Sequence, residues 1–201
     1  GDGTMLSGIN VSHGYALSGN YTVQLTVFDG NTVSVVNKVI AVLNQAPVVI
    51  LTGPDTINRN EVITLDASQT IDANGDPLTY TWSFGDGGTA SGLYASIAPH
   101  IYDSSGIYTV NLTVDDGETT STASKTVTVY NQTPIAVITA ADTVNKNESA
   151  TYDASLSSDP NGDILTYTWD FGGGVMATGA IVNHTFTTSG NHMVLLTVSD
   201  G

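Results

Sequence analysis

The feature that most constrains this chain is that it repeats itself. Tyr80-Thr81-Trp82-Ser83-Phe84-Gly85 returns as Tyr167-Thr168-Trp169-Asp170-Phe171-Gly172, 87 residues later, and Leu43-Asn44-Gln45-Ala46-Pro47 returns at the same spacing as Tyr130-Asn131-Gln132-Thr133-Pro134. A third set runs Ser18-Gly19-Asn20-Tyr21-Thr22-Val23, Ser105-Gly106-Ile107-Tyr108-Thr109-Val110 and Ser189-Gly190-Asn191-His192-Met193-Val194, spaced by 87 and then 84 because the middle copy carries three extra residues near Gly92–Pro99. A chain of this kind folds as similar units in series. The register divides it into the second half of one repeat (1–45), a complete repeat (46–132) and a third (133–201) that stops one strand short of completion.

Within a repeat the pattern is β throughout. Tyr108, Val110, Leu112 and Val114 alternate with Thr109, Asn111 and Thr113, the period of two expected of a strand with one face buried, and Leu78–Phe84 and Lys125–Val129 alternate likewise. Gly, Asn and Asp punctuate the chain every eight to twelve residues, and no stretch keeps a helical period. About seven short strands in one repeat is the rhythm of an immunoglobulin-like β-sandwich. Trp82 and Trp169 are predicted on its third strand, filling the space between the sheets, and the complete repeat is expected to fold alone.

Composition excludes several functions. Four Lys/Arg stand against nineteen Asp/Glu, a formal net charge of −15, so the clustered cations that nucleic acid requires are missing. The apolar residues come in short groups such as Ala46–Leu51, far below the ~20 residues of a membrane-spanning helix, and no membrane insertion is expected of this segment. With no cysteine, disulfides, thiolate metal sites and cysteine nucleophiles are ruled out together.

Several motifs in fixed order carry a resemblance. Trp82-Ser83-Phe84-Gly85-Asp86-Gly87, then His100-Ile101-Tyr102, Ser105-Gly106-Ile107-Tyr108-Thr109-Val110 and Val114-Asp115-Asp116-Gly117, resemble the polycystic-kidney-disease (PKD) repeat, and the resemblance covers the whole chain. The middle copy departs from the family's Trp-Asp-Phe-Gly-Asp-Gly hallmark at Ser83 and the third at Gly173; His192 replaces the expected tyrosine. The resemblance implies an all-β chain of tandem immunoglobulin-like sandwiches, found in archaeal and bacterial surface-layer proteins, in adhesins and in accessory regions of secreted hydrolases. It also implies an extracellular or cell-surface location and no catalytic activity of its own.

The residues agree that this is not an enzyme. His13, His100 and His184 are one position seen three times, a domain apart, and cannot converge on a zinc ion or form a catalytic pair. No nucleophile elbow accompanies the abundant serines and aspartates. Gly85-Asp86-Gly87 is a hairpin turn and not a phosphate loop, since neither a lysine nor a helix follows it.

The acidic loops carry the sharper expectation. Asp72-Ala73-Asn74-Gly75-Asp76 recurs as Asp159-Pro160-Asn161-Gly162-Asp163, and alternate oxygen side chains around a glycine turn suit calcium, although the same residues are the commonest in solvated turns. In an immunoglobulin-like sandwich this loop shares a pole with the loop after the sixth strand, Asp115-Asp116-Gly117 in the middle copy and Asp200-Gly201 in the third, and with the incoming linker. The middle repeat is therefore expected to gather Asp72, Asn74, Asp76, Asp115 and Asp116 beside Asn44-Gln45. The third gathers Asp159, Asn161, Asp163 and Asp200 as a weaker site, Ser199 standing where the middle copy has Asp115. Asn-x-Ser/Thr sequences at Asn10, Asn20, Asn111, Asn131, Asn147 and Asn183 are candidate N-glycosylation sites.

The reading that follows is a structural segment of an extracellular protein, a stalk, fibre or surface-layer component stiffened by calcium at its junctions. The expected partners are other copies or surface proteins, with strand exchange as one route between copies because a sheet lacking a strand exposes a pairing edge. The alternative is an accessory module of a secreted hydrolase or adhesin that binds polysaccharide or protein.

Overall fold

The computed structural model describes residues 1–201 as fourteen β-strands and no helix, so nothing in it is a helix long and apolar enough to cross a membrane. The strands are β1 (Gly19–Phe28), β2 (Val33–Val42), β3 (Thr56–Asn58), β4 (Val62–Asp66), β5 (Thr79–Ser83), β6 (Thr89–Leu93), β7 (Ile97–Ile101), β8 (Gly106–Asp115), β9 (Thr120–Tyr130), β10 (Ser149–Asp153), β11 (Thr166–Asp170), β12 (Met176–Thr178), β13 (Ile181–Thr185) and β14 (Leu195–Ser199). Hydrogen bonding sorts them into five sheets, ordered β1-β2, β3-β9-β8-β5-β6, β4-β7, β10-β13 and β12-β11-β14. The all-β, immunoglobulin-like architecture expected from the alternation is thus the observed one.

The chain forms two compact units. The first comprises Gly1–Asp55, Ile63–His100 and Tyr108–Val127, and the second Thr56–Val62, Ile101–Ile107 and Thr128–Gly201.

In the first unit β1 and β2 make an antiparallel hairpin, registered from Gly19 opposite Val42 to Phe28 opposite Val33. Asp29 shapes its turn, accepting hydrogen bonds at Oδ1 from the amides of Asn31 (2.8 Å) and Thr32 (2.7 Å). The middle repeat's core is built by period-two alternation: Tyr80 and Trp82 of β5, Ile63 and Leu65 of β4, and Val110, Leu112 and Val114 of β8 are all buried. The Trp82 indole is fully enclosed and donates Nε1–H to the Ala95 carbonyl at 3.0 Å, so its one polar atom is satisfied. Gly85 is required twice over. Its φ is +89°, and a Cβ there would lie 2.8 Å from the Thr109 carbonyl oxygen.

The same alternation gives a different burial in the hairpin. Val23, Leu25 and Val27 of β1 are 41%, 54% and 55% exposed, whereas Val110, Leu112 and Val114, 87 positions on, are 0% exposed.

In the second unit Tyr152, Ala154, Trp169, Phe171 and Phe186 form the core, with Val182, Val194 and Leu196 packed against it. Trp169 repeats the arrangement of Trp82, its Nε1–H donating to the Gly179 carbonyl at 2.9 Å. Here too β3 runs parallel to the end of β9, with Thr56 opposite Thr128 and Asn58 opposite Tyr130.

Candidate functional site

The two acidic loops are locally determined turns. Asp72 Oδ1 accepts the amides of Asn74 (2.8 Å) and Asp76 (3.2 Å), while Gly75 takes φ +79° to let the chain curl around that carboxylate. Asp159 does the same for Asn161 (2.8 Å) and Asp163 (3.2 Å), with Gly162 at φ +80°. The identical Asp-x-Asn-Gly-Asp spelling gives identical geometry because every bond is made within five residues.

Each turn then captures the linker that enters its repeat. In the first unit Asn74 Oδ1 accepts the Gln45 amide at 2.8 Å, and Asn44 Nδ2 donates to Asp116 Oδ2 at 2.8 Å. In the second unit Asn161 Oδ1 accepts the Gln132 amide at 2.6 Å, and Asn131 Nδ2 donates to Asp200 Oδ2 at 2.7 Å. The linkers are therefore fastened by the same two hydrogen bonds at both places. In the first unit Glu118 adds a third tie, accepting the Ser18 amide at 2.9 Å and the Ser18 hydroxyl.

The middle repeat's carboxylates have divergent surroundings. Asp116 is 7% exposed, and its oxygens accept from the amides of Glu118 (2.8 Å) and Thr119 (2.6 Å), the Thr119 hydroxyl (2.9 Å) and Asn44. Burial works to raise its pKa, but the bonds from Asn44, Thr119 and Glu118 outweigh it and hold the carboxyl well below the ordinary 3.8. Asp76 shifts the other way. Burial raises it, and the charges of Asp72, Asp116 and Glu118 add to the rise. The second oxygen of Asp72 is buried with no hydrogen-bond partner. Asp115, one residue out of phase with the inward Val114 and Asp116, is exposed and caps the Gly117 amide at 2.7 Å.

In the third repeat the structure brings Asp159, Asp163 and Asp200 together, with one carboxylate oxygen of each within 4.8 Å of the others. A cation of the protein already faces them: the Arg59 guanidinium pairs with Asp163. Around that pair Asn161 Nδ2 donates to the Arg59 carbonyl (2.8 Å) and Asn60 Nδ2 to the Asn161 carbonyl (2.9 Å). The sequence reading missed Arg59 and Asn60. Their signal was available, since Asn58-Arg59-Asn60-Glu61 returns as Asn145-Lys146-Asn147-Glu148 at the repeat spacing and holds two of the chain's four cations.

The histidines stay apart. His13 meets Asp2 (2.7 Å) and His100 meets Asp86 (2.6 Å), each an aspartate of its own repeat's Gly-Asp-Gly sequence. His100 lies flat on Phe84 (centroids 4.0 Å, 1°), and His184 stacks on Phe171 (4.1 Å), its would-be acid replaced by Gly173. All six candidate glycosylation asparagines are exposed.

Asp116 makes the junction acid-sensitive in a defined direction. Its pKa is depressed on folding, so the stabilisation it supplies is fully present above the unfolded value and is lost as pH falls through the folded one. The Asn44 side-chain amide and the Thr119 amide, followed by NMR, are expected to stay protected through pH 4 and to be released only well below it. Asp116→Asn is expected to loosen both at neutral pH. Release of wild-type Asn44 near pH 4 would contradict this.

Comparison with known proteins gives one consistent result. The sequence profile of the PKD domain matches residues 1–42, 44–130 and 131–201. A chitinase A from Pseudoalteromonas piscicida is 32% identical over 134 residues, 63% of this chain and 16% of its own length, and a microbial collagenase from Vibrio alginolyticus is 40% identical over 72 residues, 36% of this chain and 9% of its own. The chain therefore corresponds to a small fraction of each of these relatives. Among solved structures, the PKD domain of an M14-like peptidase from a Thermoplasmatales archaeon is 33% identical, covering 43% of this chain and 98% of that one, with a TM-score of 0.38.

Proposed function

Because the chain belongs to the PKD domain family along its whole length, we propose that it is a non-catalytic accessory segment of an extracellular protein, holding a neighbouring domain against a polymeric target. The observation that carries this reading is the repeated linker clasp, Asn44 with Asp116 and Gln45 with Asn74, then Asn131 with Asp200 and Gln132 with Asn161. Linkers of this length, tied by side chains of the next repeat, restrict the freedom an untethered linker would have. The relatives named chitinase and collagenase support the accessory role and suggest the class of target, an insoluble polysaccharide or a fibrous protein.

The purified chain, mixed with insoluble chitin and separately with fibrillar collagen, is expected to sediment with one of them above an albumin control. If it stays in the supernatant with both, the binding part of the reading fails, and a stalk or surface-layer role, with other copies or surface proteins as partners, is what the tied linkers then support.

Calcium belongs to the same reading. Asp72, Asn74, Asp76 and Asp116, and in the third repeat Asp159, Asn161, Asp163 and Asp200, offer the carboxylate and amide oxygens a hard cation prefers. The buried, unpartnered second oxygens of Asp72 and Asp159 suit a cation that brings them a partner. N-linked glycans on Asn10, Asn20, Asn111 and Asn183, the exposed candidates clear of the Asn131 clasp and the Asn147 turn, complete the proposal for an extracellular chain.

A further inference from the structure

We infer that the Asn145–Glu148 turn of the third repeat is a docking surface for the Asp-x-Asn-Gly-Asp loop of another repeat of this kind, with Lys146 in the place that Arg59 takes. The inference rests on a comparison the molecule makes with itself. The turns Asn58–Glu61 and Asn145–Glu148 share their spelling but for Arg against Lys, and they share their internal bonds. Asn58 Nδ2 donates to Glu61 (3.2 Å) as Asn145 Nδ2 does to Glu148 (2.7 Å). The Asn60 amide donates to the Tyr102 carbonyl and the Asn147 amide to the Phe186 carbonyl, both at 2.9 Å, and the two asparagines sit at φ +66° and +65°.

One of the two turns is occupied. Arg59 has a side chain only 19% exposed and pairs with Asp163, its carbonyl accepts from Asn161, and Asn60 donates to the Asn161 carbonyl. Those partners all belong to an Asp-x-Asn-Gly-Asp loop, so the contact reads both the charge and the backbone of that loop. The Asn145–Glu148 turn offers the same donors, acceptor and positive charge, and all four of its residues are exposed. A cation flanked by two asparagines, the second of them held at positive φ, is a poor use of surface unless something meets it, and the complement that fits is the acidic loop already held by the twin turn. Lysine supplies a point charge where arginine supplies a fork, so Lys146 recognises the loop with less directional demand. Asn147, unlike Asn60, opens an Asn-x-Ser/Thr sequence, so glycan attachment and docking at this turn exclude each other.

The test extends the chain in register. Asp200-Gly201 corresponds to Asp116-Gly117, so the full 201 residues followed directly by a second copy of 118–201 complete the third repeat and place a fourth repeat, with its own Asp-x-Asn-Gly-Asp loop, after it. The chain has no cysteine, so one cysteine introduced on the third repeat and one on the added repeat take spin labels cleanly. A narrow distance distribution is expected. Lys146→Glu is expected to raise the fraction of open forms roughly fivefold, as loss of one partly exposed ion pair implies, and Lys146→Arg to leave it narrow. Arg59→Glu, with labels at its own junction, is the internal standard. If Lys146→Glu changes nothing while Arg59→Glu opens its junction, the third turn docks no such loop; if neither substitution has an effect, the pairing of turn and acidic loop is not a recognition element at all. Complete glycosylation of Asn147 in the native protein, found by mass spectrometry, would also overturn the inference.

Discussion

Replacing Trp82 with alanine is expected to destabilise the middle repeat by about 3–5 kcal/mol, the range for truncating a large enclosed aromatic. The indole is fully buried, opposite Leu112 in its sheet, and its loss leaves a cavity that a close-packed interior cannot fill. It also leaves the Ala95 carbonyl without its donor. Trp82→Phe keeps most of the ring and is expected to cost clearly less. Several repeats in one chain need not melt together, so the loss is best read as hydrogen exchange at β5 and β8 rather than as one global transition. Trp169→Ala is expected to act on β11 and β14 in the same way. A change under about 1 kcal/mol at Trp82 would mean that the enclosure does not set the repeat's stability.

Calcium is expected to stabilise the middle repeat, by about 2.7 kcal/mol at a hundredfold excess over its Kd if it binds only the folded state. The motive is electrostatic. Burial and the charges of Asp72, Asp116 and Glu118 hold Asp76 above its ordinary 3.8, so folding there favours the protonated form. As pH rises through that raised value the carboxyl ionises and its contribution turns unfavourable, and a divalent cation takes over what the proton did. The effect is therefore expected to be full at neutral pH and to fade as pH falls through the Asp76 transition. Asp76→Asn is expected to remove it. The third repeat is expected to bind more weakly because Arg59 already faces Asp163. Arg59→Ala is accordingly expected to increase calcium uptake by that loop. Calorimetry without a binding heat, together with melting unaffected by chelator, would leave these acids as turn residues.

What was legible in the sequence is what depends on short-range pattern. Val110, Leu112 and Val114 announce a strand by alternating, and a tryptophan at the same place in two copies announces the core. The acidic turns were legible because Asp72 bonds amides two and four residues away. The expectation that Asp115 gathers with Asp116 overlooked parity: continuing the inward series from Val114 puts Asp116 inside and Asp115 outside, which is where they lie. Arg59 was hidden for the opposite reason. Its partner stands 104 positions later, so it becomes a site residue only through the arrival of another repeat, and only its recurrence as Lys146 hinted that it mattered.

The linker clasp has a consequence for the order of assembly. Asn44 lies 72 residues from Asp116, and Asn131 lies 69 from Asp200, so one bond of each clasp joins the start of a repeat to nearly its last turn, while the other reaches only 29 residues on. Contacts this distant in sequence form late, after the strands between them have closed the intervening loop. In a chain emerging from its N-terminus, each linker is held first by the nearer bond, Gln45 to Asn74 or Gln132 to Asn161, and is fully fastened only when the distant aspartate arrives. The array sets one link at a time behind the growing end, and each fastening marks that the repeat just made has folded as far as its last acidic loop.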